Sequence, residues 1–278
     1  MGIAAGDYEN NGRIDFFITD FGDDYKVLYH NDGDSSFSDV SYKAGVANAT
    51  IPFVGWGDGF IDYDNDGWLD LFMVNGHVYP QVDQHHWGST FAERPLLFHN
   101  VPDTSGKGRK FEYVPPVAGS GLADVIPARG AAFGGLFNDG KIDVVINPID
   151  GPPVLLRNVN PDHHHWVEMK LVGGPASPRD ATCATVYLTA GGIRQRQDVL
   201  ASGSYISSND RRLHFGLGNG TNAGSVEIHW PSGAKETIKL PAIDRIYTIT
   251  EGQGITGTMC GGTACAVEHS APEGRRSR

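Results

Sequence analysis

Three stretches of the chain repeat one another, and this constrains the fold more than any other feature. "GIAAGDYENNGRIDFFITD" starts at Gly2, "GDGFIDYDNDGWLDLFMVN" at Gly57 and "GAAFGGLFNDGKIDVVINP" at Gly130. Each opens on small residues, turns at Asn-Gly or Asp-Gly, and runs on through strand formers. Those turn pairs accept positive φ, so the natural unit is a strand–turn–strand hairpin. A second echo follows each one: "LYHNDGDSSFSDV" from Leu28, "LLFHN…FEYV", and "LLRN" from Leu155. The second interval is lengthened by "GHVYPQVDQHHWGSTFAERP" at 76–95 and by extra residues at 101–110.

Repeats of this length, each with several short strands, predict blades of a β-propeller. A closed propeller takes about four blades or more, so three predict a fragment of a larger propeller, with an open arc or closure by a partner as the alternatives. Near residue 160 the acidic loops stop. "NPDHHHWVEMKLVGG", "TVYLTAGGIRQRQDVL", "SVEIHWPSG", "KETIKL" and "RIYTITEG" read as short strands between Gly, Asn and Pro turns. The expected fold is therefore all-β. A partial β-propeller of about three blades covers 1–160, a small β-sandwich-like domain covers 161–252, and a disordered tail covers 253–278. Open blade edges would favour association.

Composition narrows the function. With 37 Gly and 16 Pro in 278 residues, many tight turns fit better than long helices. A net charge of −11 argues against a nucleic-acid binder, which needs a basic face, and suits a collector of divalent cations. No apolar run reaches membrane-spanning length. "MGIAAGDYEN" lacks the pattern of a signal peptide and reads as the middle of a strand, which predicts that the natural chain extends upstream. Of the three cysteines, Cys260 and Cys265 could close a small disulfide or remain two thiols in a tail, leaving Cys183 unpaired.

The turns carry the chemistry. "DYDNDGWLD" places Asp62, Asp64, Asp66 and Asp70 around one tight turn, where like charges repel unless a cation intervenes. Calcium takes six to eight oxygens at about 2.3–2.6 Å, and side chains at loop positions 1, 3, 5 and 9 with the carbonyl of position 7 can supply them. Those residues are Asp62, Asp64, Asp66, Trp68 through its backbone, and Asp70. The first loop offers Asp7, Glu9, Asn11, Arg13 through its backbone, and Asp15, one carboxylate fewer. The third retains only Asp139 and Asp143, with Gly135 and Phe137 in place of ligands and Lys141 alongside, so it is expected to keep the turn without the ion. An EF-hand is rejected: Ile18 and Met73 stand where its last glutamate is required, and strand formers replace its helices.

These residues resemble FG-GAP/VCBS repeats, whose blades carry a D-x-[DN]-x-[DN]-G-x-x-D calcium loop as in the integrin α-subunit propeller. Residues 165–252 resemble the ASPIC/UnbV domain, chiefly through "GSYISSNDRRLHFGLG" and "VEIHWPSG". The pairing is found in secreted proteins of the cartilage acidic protein kind. One departure stands out: where the family has a Gly-Ala-Arg run, this chain has "CATV", with Cys183 at the glycine and Thr185 at the arginine. The resemblance implies calcium binding, a location outside the cell and binding of other macromolecules, with no established enzyme activity.

Other candidates have plainer readings. His163 and His165 could share a metal, being two apart on a strand, but a solvated linker is the plainer account of "DHHHW". His85 and His86 lie in the insertion, and His77 reads as turn-stabilising. Ser207, Ser208, Asp210 and His214 contain the residue types of a triad, but a hairpin turn accounts for "SSND". Arg211 and Arg212 could receive an anion or pair on the surface. Trp56, Trp68 and Trp87 could stack on sugars. The leading expectation is thus a non-enzymatic, extracellular, cell-surface or periplasmic calcium-binding protein of adhesion or recognition, with a protein or glycan partner. Its alternatives are a carbohydrate-binding module and a propeller-type hydrolase or oxidoreductase. The enzymatic alternative requires a pocket on the propeller axis holding a carboxylate and a histidine.

Overall fold

The computed structural model describes residues 1–85, 88–106 and 108–261. The first repeat forms β1 (Ile3–Gly6), β2 (Asp15–Ile18), β3 (Val27–Gly33) and β4 (Ser36–Asp39). The second forms β5 (Gly55–Ile61), β6 (Asp70–Asn75), β7 (Leu96–Pro102) and β8 (Arg109–Tyr113). The third forms β9 (Ala128–Gly134), β10 (Asp143–Pro148) and β11 (Val154–Leu156). Each repeat is one antiparallel meander in chain order, and none of the sheets closes on itself. Among the described residues, helical structure is confined to Ala47–Thr50 and the 3-10 turns Pro80–Gln84 and Gly121–Ala123. Among the described residues no helix is long and apolar enough to cross a membrane.

The second sheet lies between the other two, and β6 shows why. Its sequence "DLFMVN" is buried at every position. Successive strand side chains point to opposite faces. Leu71 and Met73 accordingly join Phe17, Leu28 and Phe98 in one core, while Phe72 and Val74 join Phe133, Val144 and Ile146 in another. Each large apolar side chain so buried contributes roughly 1.5–3 kcal/mol. The small residues that open each repeat also have a packing reason. β1, β5 and β9 are neighbours across the three sheets. A Cβ on Gly57 would lie 2.6 Å from the Ala131 nitrogen, and one on Gly59 would lie 2.5 Å from the Phe133 ring.

The second domain is built from β12 (His165–Val172), β13 (Thr185–Ala190), β14 (Ile193–Asp198), β15 (Leu213–Gly218), β16 (Ser225–His229), β17 (Lys235–Lys239), β18 (Arg245–Thr250) and β19 (Gly254–Cys260). Two four-stranded sheets result, in the orders β15-β12-β18-β19 and β14-β13-β16-β17. Among the described residues only β12 and β18 pair in parallel. Val167, Met169, Val186, Leu188, Phe215, Val226, Ile228 and Tyr247 fill the space between the sheets.

The structure corrects the expected start of the tail. β19 pairs with β18 from Arg245↔Cys260 to Thr250↔Gly254, so residues 254–260 belong to the domain. Glycines at 254 and 257 hide the strand pattern in the sequence, and a register shift beyond Thr248 accommodates them. Residues beyond Gly261, with the Cys260–Cys265 question, lie outside the described residues, as do His86 and Trp87.

The inner strands are partly covered by the chain itself. The Asp58 amide on β5 donates to Ser204 Oγ at 2.9 Å. On β9, Phe133 donates to Asn209 Oδ1 at 3.2 Å and accepts from the Asp210 amide at 2.9 Å. The segment between β14 and β15 thereby satisfies backbone groups that would otherwise be open to a second chain.

Candidate metal centre

The three acidic loops are the β1–β2, β5–β6 and β9–β10 turns. At their fourth positions Asn10, Asn65 and Asn138 have φ of 52°, 60° and 52°. Asparagine is among the few residues that enter this left-handed region readily. The turn is closed by side chains bonding the backbone. In the second loop, Asp62 accepts from the Asp66 amide at 3.1 Å and the Gly67 amide at 2.9 Å. Asp66 accepts from the Trp68 amide at 2.9 Å, and Asp64 from the Asp66 amide at 3.3 Å. Asp70 accepts from Tyr63 at 3.1 Å and from Asn100 at 2.8 Å.

This wrapping concentrates charge. One ligand atom each from Asp62, Asp64 and Asp70 lie within 4.8 Å of one another, and the same holds for Asp64, Asp66 and His99. Asp62 is 3% exposed and Asp70 is fully buried. Burial first, then the charges of Asp66 and Asp64, pushes the Asp62 carboxyl well above its usual range. Burial, followed by Asp62, does the same to Asp70. For Asp64, burial also acts upward but is outweighed by His99, which holds the carboxyl below its usual range. His99 Nε2 lies 3.2 Å from Asp64 and 3.9 Å from Asp66, and these carboxylates raise the imidazole to about 10. A hard oxygen set with excess negative charge fits a divalent cation such as calcium.

His99 is absent from the ligands that the sequence suggested, although its signal was present. It sits in "FHN", which echoes "YHN" and "LRN" in the other repeats. His30 Nδ1 is 3.3 Å from both Glu9 and Asp15, and Arg157 is 3.4 Å from Asp139. The asparagine that follows is equally regular. Asn31, Asn100 and Asn158 donate their amides to Asp15, Asp70 and Asp143 at 2.8, 2.8 and 2.9 Å. Every repeat therefore sets one nitrogenous side chain against its own acidic loop.

The other loops differ as their residues dictate. In the first, Asp7 accepts from the Asn11 and Gly12 amides at 2.9 and 2.7 Å, and Asn11 accepts from the Arg13 amide at 2.9 Å. Burial raises Asp7, and raises Asp15 to about 7. Among the described residues, Asp7, Glu9 and Asp15 do not converge as the second-loop carboxylates do. In the third, Asp139 accepts from the Lys141 amide at 3.3 Å and Asp143 from the Leu136 amide at 3.2 Å, while the Lys141 ammonium bonds the Asn160 carbonyl.

The loops also hold one another. Asn10 donates to the Gly67 carbonyl at 2.9 Å, and Asn65 donates to the Gly140 carbonyl at 2.8 Å. Asn138 is gripped by Arg212 of the second domain. That domain reaches the earlier loops too. His214 Nε2 is 2.6 Å from Asn65 Oδ1, and the Gly218 amide donates to the Asn65 carbonyl at 2.8 Å. Arg196 donates to the Gly12 carbonyl at 2.8 Å, and His164 Nδ1 lies 2.8 Å from the Asp64 carbonyl.

Most of the remaining candidates are committed elsewhere. Ser207 bonds the Tyr205 carbonyl, Ser208 the Ala201 carbonyl, and Asp210 pairs with Arg212, so no triad assembles around His214. Arg212 is divided among Glu168, Asp210, Asn138 and the Gly135 carbonyl, and Arg211 pairs with Asp180. His165 pairs with Asp244 at 2.8 Å rather than with His163. His77 accepts from the Tyr79 amide at 3.1 Å, as a turn residue would. Trp56 donates to the Gly76 carbonyl and lies between Arg129 and Tyr205, while Arg109 covers Trp68 at 3.9 Å. A second pair also escaped the sequence reading: Glu168 and His214, both buried, approach to 4.0 Å.

The family model described as ASPIC and UnbV matches residues 174–256, which places an ASPIC/UnbV domain on the strands β13 to β18 and the start of β19. No curated protein matches the chain. Among solved structures, one described as a "putative cell adhesion protein" from Bacteroides ovatus ATCC 8483 aligns over 98% of this chain and 97% of its own, at 9% identity and a TM-score of 0.22.

Proposed function

We propose that this chain is a calcium-stabilised recognition protein without enzymatic activity of its own, working outside the cell or at its surface. The observation that carries the reading is the convergence of Asp62, Asp64 and Asp70 within 4.8 Å on one buried turn. Calcium would supply charge compensation there, and the chain's own residues would do the rest. Asp62, Asp64, Asp66 and Asp70, with the Trp68 carbonyl, would hold the ion. The first loop would hold it more weakly and the third not at all. Fixing the second loop fixes Asn65, and through Asn65 both the third loop and the ASPIC/UnbV domain. On this reading the three meanders are FG-GAP/VCBS-type blades of a propeller arc, and the ion sets the geometry of surfaces that meet a protein or glycan partner.

Calorimetric titration with calcium, paired with melting in calcium and in chelator, tests this. Binding heat and a higher melting temperature in calcium are expected. An absence of heat together with identical melting curves would overturn the reading.

A further inference from the structure

The ASPIC/UnbV domain and the three meanders meet without sharing a core. Among the described residues, one buried apolar cluster lies inside the domain and the other two lie between neighbouring meanders. Between the two parts there is instead a cavity of about 580 Å³, walled by Phe60 and Phe133 on one side and by Val199 and Leu213 on the other. Apolar contact across the junction is local, as where Trp166 lies against Gly140 and Tyr205 against Trp56. Much of the remainder is polar. Arg196 donates to the Gly12 carbonyl, Arg212 to the Gly135 carbonyl and to Asn138, and Ser204 and Asn209 accept from amides of β5 and β9. The connecting residues 157–164 form no strand, and none of them is buried. A polar, incompletely filled interface lets one part move against the other.

The closest approach is made on the second acidic loop. β15 crosses it so tightly that a Cβ on Gly216 would lie 2.1 Å from Asp62 Oδ2 and 2.5 Å from the carbonyl carbon of Asn65. The Gly218 amide donates to the Asn65 carbonyl at 2.8 Å, and Gln195, lying over Gly67, holds the Gly216 carbonyl at 2.7 Å. The domain is therefore seated on the loop backbone and on one of the carboxylates expected to hold the ion. Asp62 beneath it is 3% exposed, with ligand atoms of Asp64 and Asp70 within 4.8 Å. Covering like charges in this way is costly unless an opposite charge is buried with them. A divalent cation in the loop lowers that cost and holds the loop in the shape that fits β15. Without it the carboxylates repel, and Asp62 has no room to move toward Gly216.

We propose that the ASPIC/UnbV domain is a movable part, docked on the meanders through the second acidic loop while that loop holds a divalent cation and released when the cation leaves. The inference rests on the calcium reading above and extends it by making docking and ion binding reciprocal, so that whatever weakens one weakens the other. Release uncovers the Asp58 and Phe133 amides that Ser204 and Asn209 now cover, and opens the cavity to solvent.

The test is amide hydrogen exchange followed by NMR on the full chain, in calcium and in chelator, alongside calorimetric titration with calcium. Three amides report docking: Gly218 on the Asn65 carbonyl, Asp210 on the Phe133 carbonyl and Asp58 on Ser204. They should exchange about tenfold or more faster in chelator, while amides that pair β9 with β10 and β13 with β16 keep their rates. The double variant Ser204→Ala/Asn209→Ala removes two docking bonds and touches no ligand residue. It should weaken calcium binding about fivefold or more. Calcium heat with unchanged docking amides, or unchanged affinity in the double variant, would overturn the inference and leave the calcium reading standing. Equal acceleration of docking and sheet amides would overturn it as general loosening. An absence of calcium heat would overturn both.

Discussion

Nε2 of His99 sits 3.2 Å from Oδ2 of Asp64, so the acidic loop has a positive neighbour supplied by the next strand pair of its own repeat. The imidazole is raised to about 10, by Asp64 first and Asp66 second. A group whose pKa is raised on folding contributes stability that is complete below its unfolded value, about 6.5, and is lost as pH climbs through the folded value. In chelator the protein should therefore melt progressively lower from pH 7 to pH 10. His99→Gln should flatten that slope, as followed by melting across a pH series. An unchanged slope in the variant would remove His99 from the account.

Calcium linkage gives a second expectation. A ligand held only by the folded state stabilises it by about 2.7 kcal/mol at a hundredfold excess over Kd. Wild type should show a calcium increment of that order in denaturant unfolding. Asp64→Ala should lose nearly all of it, because Asp64 belongs to both converging sets in the second loop. Asp139→Ala, in the loop lacking two ligands, should keep the whole increment. A loss of similar size in both variants would point to general acidity rather than to a site.

Asn65 ties the second loop to two other parts of the molecule. It bonds the Gly140 carbonyl at 2.8 Å and His214 at 2.6 Å, at a φ of 60°. Asn65→Ala strands both partners and places an alanine in a left-handed conformation. A loss of about 2–4 kcal/mol is expected in chemical denaturation. Asn10→Ala carries the same left-handed penalty, at a φ of 52°, but removes only one part-buried bond, to Gly67, and should cost about 1–2 kcal/mol less than Asn65→Ala. Equal costs for the two would mean that the bond to the ASPIC/UnbV domain contributes nothing.

Local periodicity made much of this legible in the sequence, and contacts distant along the chain did not. The turns at Asn10, Asn65 and Asn138 followed from Asn-Gly and Asp-Gly chemistry, and the loop carboxylates from their spacing. His99 was missed because it lies 29 residues beyond Asp70 and meets the loop only once β6 and β7 pair. The pair Glu168–His214 was missed for a similar reason: β12 and β15 bring the two residues opposite each other across 46 positions of chain. β19 was hidden because glycine lowers strand propensity, and its pairing with β18 outweighs that preference. The self-capping of the inner strands depended on Ser204 and Asn209, whose polar turn composition reveals a loop but not what the loop covers.

Cys183 offers the most direct test of a sequence departure. It stands where the ASPIC/UnbV pattern has glycine, and its φ is 74°. In that region a side chain costs roughly 1–2 kcal/mol, which glycine avoids at the expense of about 0.5–1 kcal/mol of extra unfolded-state freedom. The cysteine side chain is exposed, and the amide of residue 183 donates to the Val199 carbonyl at 2.9 Å, a bond that glycine retains. Cys183→Gly should therefore stabilise the protein by about 0.5–1 kcal/mol in denaturant unfolding. Cys183→Ala removes the thiol while keeping the Cβ, and should gain nothing. If alanine stabilised as much as glycine, the thiol rather than the backbone would be the source of the strain.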